Sequence, residues 1–187
     1  MKVSIAIDGS AWNYLFEKAI DLTAELPPDT FNVFIPREVE VELGATPDIG
    51  KDGQSKVALR RYVWASIESR QVQTSATFGF AEAGGAFGLH RYAGFGGGTF
   101  ASDEERTYYA DTGTQRYLVG RSQRPSGLTQ YEADAALAAS SSHSVVLTND
   151  KKNGPIRDAR AQGGKVIYLK DFDAQSLPLA AYILSFR

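Results

Sequence analysis

Val3-Ser-Ile-Ala-Ile-Asp8-Gly9-Ser10 is the stretch from which the rest of the chain can be read. Apart from Ser4, its first five residues are apolar and rich in β-branched side chains, the pattern of a strand buried on both faces. The run stops at a carboxylate. A helical pattern follows, with Ser10 expected as its cap and Trp12, Leu15, Phe16, Ala19, Ile20 and Leu22 as its apolar stripe. Pro27-Pro28 stops that helix. A fully apolar strand feeding an amphipathic helix is the repeating unit of a parallel sheet covered on both sides.

The unit recurs along the chain. Phe31 to Ile35 reads as a second strand, and Pro36 opens a helix that ends near Gly44. Lys56 to Ser69 is helical in pattern, and Val72 to Phe78 reads as a third strand. Thr129 to Ser142 is a helix, and Val145 to Leu147 is a strand running into Thr148-Asn149-Asp150. Pro155 to Gln162 is a helix stopped by Gly163-Gly164, and Val166 to Leu169 is the last strand. Leu177 to Phe186 is an apolar C-terminal piece. These elements predict an α/β fold, a doubly wound, mainly parallel sheet with helices on both faces, in one domain spanning 1–187.

Between about 79 and 127 the character changes. Glycines gather at 84–85, 88, 94 and 96–98, interleaved with Phe80, Phe87, Tyr92, Phe95 and Phe100. Tyr108-Tyr109 and Tyr117-Leu118-Val119 read as short strands of a hairpin. So long a segment without regular structure is expected to be a functional insertion in the domain. Gly94-Phe-Gly-Gly-Gly98 lacks the spacing of a dinucleotide fingerprint, and no Walker A sequence is present.

Composition narrows the chemistry. The chain has 187 residues, no cysteine, two histidines and a formal net charge of −2. Disulfides, thiolate zinc sites and cysteine nucleophiles are excluded, and the absence of cysteine suits a cytoplasmic location. Two histidines and no G-x-S-x-G elbow disfavour a serine hydrolase. The mild acidity argues against a protein that only coats nucleic acid, yet it suits a nuclease with an acidic centre. No apolar run approaches membrane-spanning length.

Four carboxylates stand out. Asp8 and Asp150 each follow an apolar strand, where sites form in open parallel sheets. Asp134 competes with Glu132 on the same helix. Thr129 and Glu132 stand in capping-box register, which gives Glu132 a structural task, whereas Asp134 shares a face with Leu137, Ala138 and Ser141. Among Glu38, Glu40 and Glu42, the last lies beside the inward Val39–Leu43 face, and Glu38 is the fallback. Clustered carboxylates repel unless a cation joins them, and hard oxygen donors select Mg2+ or Mn2+. Ser10, Thr148 and Asn149 are candidate supporting groups for ligand water or phosphate.

Ile5-Ala-Ile-Asp8-Gly-Ser10, Ile35-Pro-Arg-Glu-Val-Glu-Val-Glu42-Leu, Glu132-Ala-Asp134-Ala-Ala-Leu and Leu147-Thr-Asn-Asp150-Lys together resemble the PIN-domain order of motifs, over residues 1–75 and 128–170. The resemblance implies a doubly wound sheet whose acids, here Asp8, Glu42, Asp134 and Asp150, bind one or two divalent ions and cleave single-stranded RNA. It further implies a toxin of a toxin–antitoxin pair, with an antitoxin protein as partner. The glycine-aromatic insertion departs from the compact toxin pattern. We expect it to be an arm that holds single-stranded or structured RNA, with Arg91, Phe95, Arg116 and Arg121 as candidate contacts; a homodimer contact is its alternative use. The rival to an enzyme is a non-catalytic PIN-like module binding RNA or protein. A haloacid-dehalogenase phosphatase would need an aspartate where Ser10 stands.

Overall fold

The structure, a computed structural model, describes residues 2–78, 99–119, 125–172 and 177–186. Its elements are β1 (Val3–Ile7), α1 (Gly9–Glu17), α2 (Leu22–Glu25), β2 (Phe31–Pro36), α3 (Arg37–Gly44), α4 (Val57–Arg70), β3 (Gln73–Ser75), β4 (Thr77–Phe78), β5 (Thr99–Phe100), α5 (Asp103–Ala110), α6 (Thr112–Leu118), α7 (Glu132–Ser140), β6 (Val145–Thr148), α8 (Pro155–Ala161), β7 (Val166–Tyr168), α9 (Leu169–Phe172) and α10 (Leu179–Ser185).

Five strands form one sheet in the order β3-β2-β1-β6-β7, and every neighbouring pair is parallel. The apolar runs explain this layer. Ile5, Ala6 and Ile7 have no exposed surface, and all four residues of β6 and all three of β7 are buried. Strands buried on both faces need cover on both. Helices α1 and α2 pack on α4, and α7 packs on α8. The strand order reverses between β1 and β6, so right-handed crossovers carry these two helix groups to opposite faces. The reversal leaves a crevice at the carboxyl ends of β1 and β6, the usual place for a site in an open α/β sheet.

Local chemistry explains the ends of several elements. Gly163 takes φ +93° after α8, and a Cβ on Gly164 would stand 2.4 Å from Ser141 Oγ, so both glycines at this stop are required by space or conformation. Buried Arg70 closes α4 against the sheet, its Nε donating to Leu26 O at 2.6 Å and its Nη2 to Phe31 O at 2.8 Å. Leu26 O lies at the end of α2 and Phe31 O in the first residue of β2, so one side chain ties the end of α4 to both.

Four expectations need correction. The Tyr108–Val119 hairpin is instead the pair of helices α5 and α6. Ser102 and Glu105 form a capping box that starts α5, and Asp111 accepts from Thr114 N–H to start α6, so local capping outweighs the aromatic, β-prone residues inside. The strand expected over 72–78 breaks at Ala76: β3 joins the main sheet, and β4 pairs in parallel with β5 as a separate ribbon. The first helix ends at Glu17, and α2 follows with Asp21 as its cap. Helix α7 begins at Glu132 instead of Thr129. Among the described residues, no helix is long and apolar enough to cross a membrane.

Candidate functional site

The crevice between β1 and β6 is built around one buried carboxylate. The β1–β6 register sets Ile7 beside Leu147, and Asp8 N–H donates to Leu147 O at 3.0 Å, so Asp8 meets Thr148 at the strand ends. Asp8 is 6% exposed. Its Oδ2 accepts from Ser10 Oγ at 2.5 Å and from Thr148 Oγ1 at 2.6 Å. Burial holds the Asp8 carboxyl above the usual carboxylate range, and the hydroxyl donors act against that shift. No lysine, arginine or histidine pairs with Asp8 among the described residues.

Ser10 is not the helix cap that its position suggests. It sits at the second position of α1, and its oxygen also accepts from Asn149 N–H at 2.8 Å. Thr148 Oγ1 likewise accepts from Asp150 N–H at 2.9 Å. The two hydroxyls therefore stitch the end of β1 to the turn after β6, and Thr148 links Asp8 to the backbone of Asp150. Asn149 faces the other way, where its Oδ1 accepts from Lys170 N–H at 3.0 Å. The Asp150 carboxylate accepts from Lys152 N–H at 2.8 Å and lies 3.7 Å from Lys152 Nζ.

Asp134 lies in the first turn of α7 and joins Asp150 in lining a cavity of about 100 Å3. The other walls of that cavity, not expected from the sequence, include Tyr131, Asn153 and Gly154. A Cβ on Gly154 would stand 3.3 Å from the Tyr131 ring, so glycine lets the α8 entrance approach this wall. The Tyr117 ring of α6 stands edge-on to Tyr131 at 5.2 Å, and Tyr117 Oη donates to Asp158 at 2.7 Å. Burial raises the Tyr108 phenol well above its ordinary value, and the charges of Asp158 and Asp134 add to this. The α5–α6 part of the insertion thus packs against the helix that carries Asp134. Asn153-Gly154 before Pro155 was a visible turn signal; the two tyrosines, 14 residues apart, had no local signal.

Glu132 has the structural task expected of it. Buried, it accepts from Thr129 N–H at 2.9 Å, although Thr129 Oγ1 makes no reciprocal bond among the described residues. The capping box itself is not formed, because α7 begins at Glu132 with Tyr131 as the preceding residue, and the Thr129 contact belongs to the turn ahead of the helix. Glu42, on α3, lines a different and larger cavity together with Gly9. Among the described residues no three of Asp, Glu, His and Cys stand close enough together to hold a metal ion. Of the insertion residues, Arg116 is exposed and bonds within α6 to Gly113 O at 3.0 Å. Arg91, Phe95 and Arg121 lie outside the described residues.

The donor types, though not their spacing among the described residues, are those that a hard divalent ion takes. Asp8, Asp134 and Asp150 offer carboxylate oxygens, and Ser10 and Thr148 offer hydroxyls. A buried carboxylate without a cation is also the electrostatic circumstance that such an ion relieves. No family model, curated protein or solved structure matches this chain.

Proposed function

We propose that the chain is a metal-dependent endoribonuclease of PIN type that cleaves single-stranded RNA. The observation that carries this reading is Asp8: a carboxylate buried at the strand-order reversal, held by two hydroxyls, with Asp150 tethered through Thr148 and Asp134 next to Asp150. On this reading Asp8, Glu42, Asp134 and Asp150 would be the residues to hold Mg2+ or Mn2+, and they would have to draw closer together than they stand in this structure to do so. The ion would supply charge stabilisation for in-line attack on a phosphodiester. The protein's own contribution is to exclude bulk water around Asp8 and to fix its orientation through Ser10 and Thr148. Asp150 is engaged by an exposed lysine, a weak surface pair that a divalent ion outcompetes.

On this reading the chain acts as the toxin of a toxin–antitoxin pair, and a cognate antitoxin protein is its partner. The second reading, a PIN-like module that binds RNA or protein without cutting, draws on Glu42 lining a different cavity from Asp134 and Asp150.

The deciding experiment incubates purified protein with labelled single-stranded RNA in Mg2+, in Mn2+ and in chelator. Endonucleolytic products only with metal are expected; intact RNA in all three would leave the binding module standing. Thr148→Val refines the test. It keeps the side-chain shape, removes one donor from Asp8 and leaves the Asp150 N–H without its acceptor. Metal affinity by calorimetry is expected to weaken by roughly 10–100-fold, the usual scale for losing a group that orients a metal ligand.

A further inference from the structure

The chain has four asparagines, Asn13, Asn32, Asn149 and Asn153, and the fold holds three of them away from reaction with their own backbone. Asn13 is inside α1 and Asn32 inside β2, where regular structure fixes the backbone. Asn149 Oδ1 accepts from Lys170 N–H at 3.0 Å, and the N–H that follows it, on Asp150, donates to Thr148 Oγ1 at 2.9 Å.

Asn153 differs in each respect. It is exposed, in the bend between β6 and α8, and Gly154 follows it. Gly154 N–H makes no hydrogen bond among the described residues. Glycine puts no side chain between that nitrogen and the Asn153 amide. Asn153 Oδ1 accepts from Arg157 Nη1, so a cation polarises the amide and faces the oxygen on which charge gathers during attack. A nucleophile without a partner, held in the same residue pair as a polarised amide, favours ring closure.

We propose that Asn153 is a deamidation site, and that its conversion adds a carboxylate to the cavity lined by Asp134 and Asp150. The Gly154 nitrogen, losing its proton to solvent base, attacks Asn153 Cγ. The bond from Cγ to the side-chain nitrogen breaks, and that nitrogen takes a proton and leaves as ammonia. Water then opens the cyclic imide. Attack at Cγ gives aspartate, and attack at the backbone carbonyl carbon gives isoaspartate. Either way the Gly154 nitrogen regains its proton, and amide plus water has become acid plus ammonia with no change of oxidation state. Asn153 lines the same cavity as Asp134 and Asp150, so the new charge arises beside two carboxylates. The reaction stands without the nuclease reading; its effect on metal rests on that reading.

Native protein is held at mildly alkaline pH and sampled over days for peptide mapping by mass spectrometry, beside wild type in urea and native Asn153→Gln. In native wild type the peptide holding residue 153 is expected to gain the mass of NH2 exchanged for OH. It should do so an order of magnitude faster than the peptides holding Asn13, Asn32 or Asn149. Asn153→Gln, whose longer side chain closes a ring more slowly, is expected to stay unconverted there. Conversion in urea but not in the native protein overturns the proposal, and so does conversion no faster at Asn153 than at Asn149. Asn153→Asp, which carries the product's charge, is then titrated with Mn2+ by calorimetry against wild type. Binding several-fold tighter supports the added carboxylate; unchanged or weaker binding overturns its reach into the cavity. Deamidation in a wild type that cuts no RNA with metal keeps the modification site and removes the nuclease.

Discussion

Asp8→Asn is expected to lower RNA cleavage by roughly 10^3-fold, corresponding to the several kcal/mol that a bound metal ion gives to a phosphoryl transition state. The same substitution is expected to stabilise the metal-free protein at neutral pH. Asp8 is buried, and its folded carboxyl titrates above the ordinary aspartate value, with burial as the main cause. The folded state therefore holds this proton more tightly than the unfolded state does. Stability from the protonated form is fully present at low pH and is lost as pH rises through the folded value. At neutral pH the ionised group is a liability, which asparagine removes while still accepting from Ser10 and Thr148. A Tm increase of roughly 2–4 °C in chelator would correspond to about 1 kcal/mol in a domain of this size. Melting curves from about pH 4 to about pH 8 should slope downward for wild type and flatten for Asp8→Asn. Adding Mn2+ should raise the Tm of wild type and leave the variant unmoved. Equal cleavage by both proteins would remove Asp8 from the chemistry, whatever the melting curves show.

Asp134→Asn and Glu132→Gln should separate sharply although the two residues are two apart on α7. Asp134 joins Asp150 at the small cavity, so its amide is expected to lose roughly 10^3-fold in cleavage with little change in Tm. Glu132 is buried against Thr129 N–H, and glutamine retains an oxygen acceptor for that bond. Glu132→Gln is therefore expected to keep activity within a few-fold. Cleavage rates measured at saturating Mn2+, with a melt of each variant, decide between them. Loss of activity in Glu132→Gln together with retention in Asp134→Asn would transfer the catalytic role to Glu132.

In the insertion, local capping overrides side-chain strand propensity. Tyr108, Tyr109, Tyr117 and Val119 have strand propensities, which favour the expected hairpin. The start of α5 was nonetheless written in Ser102 and Glu105, three residues apart, and the start of α6 in Asp111. These caps satisfy helix-end N–H groups that side-chain propensity does not address. Ser10 failed in the opposite sense. It looks like a cap beside the start of α1, but the approach of Thr148 and Asn149 from β6 gives its hydroxyl other partners.

By itself the sequence determined the layer of strands, because the runs Val3–Ile7, Phe31–Ile35, Val145–Leu147 and Val166–Leu169 are mostly apolar and need burial. It also determined that Asp8 and Asp150 follow strands, a local pattern of period and polarity. Only the tertiary structure decided that β1 and β6 are neighbours, that Thr148 joins Asp8 to Asp150, and that Asp134 lines a cavity with Asp150 while Glu42 lines another. Those contacts join residues up to 140 positions apart. They depend on strand order and on the packing of helices, and a local pattern carries no information about either.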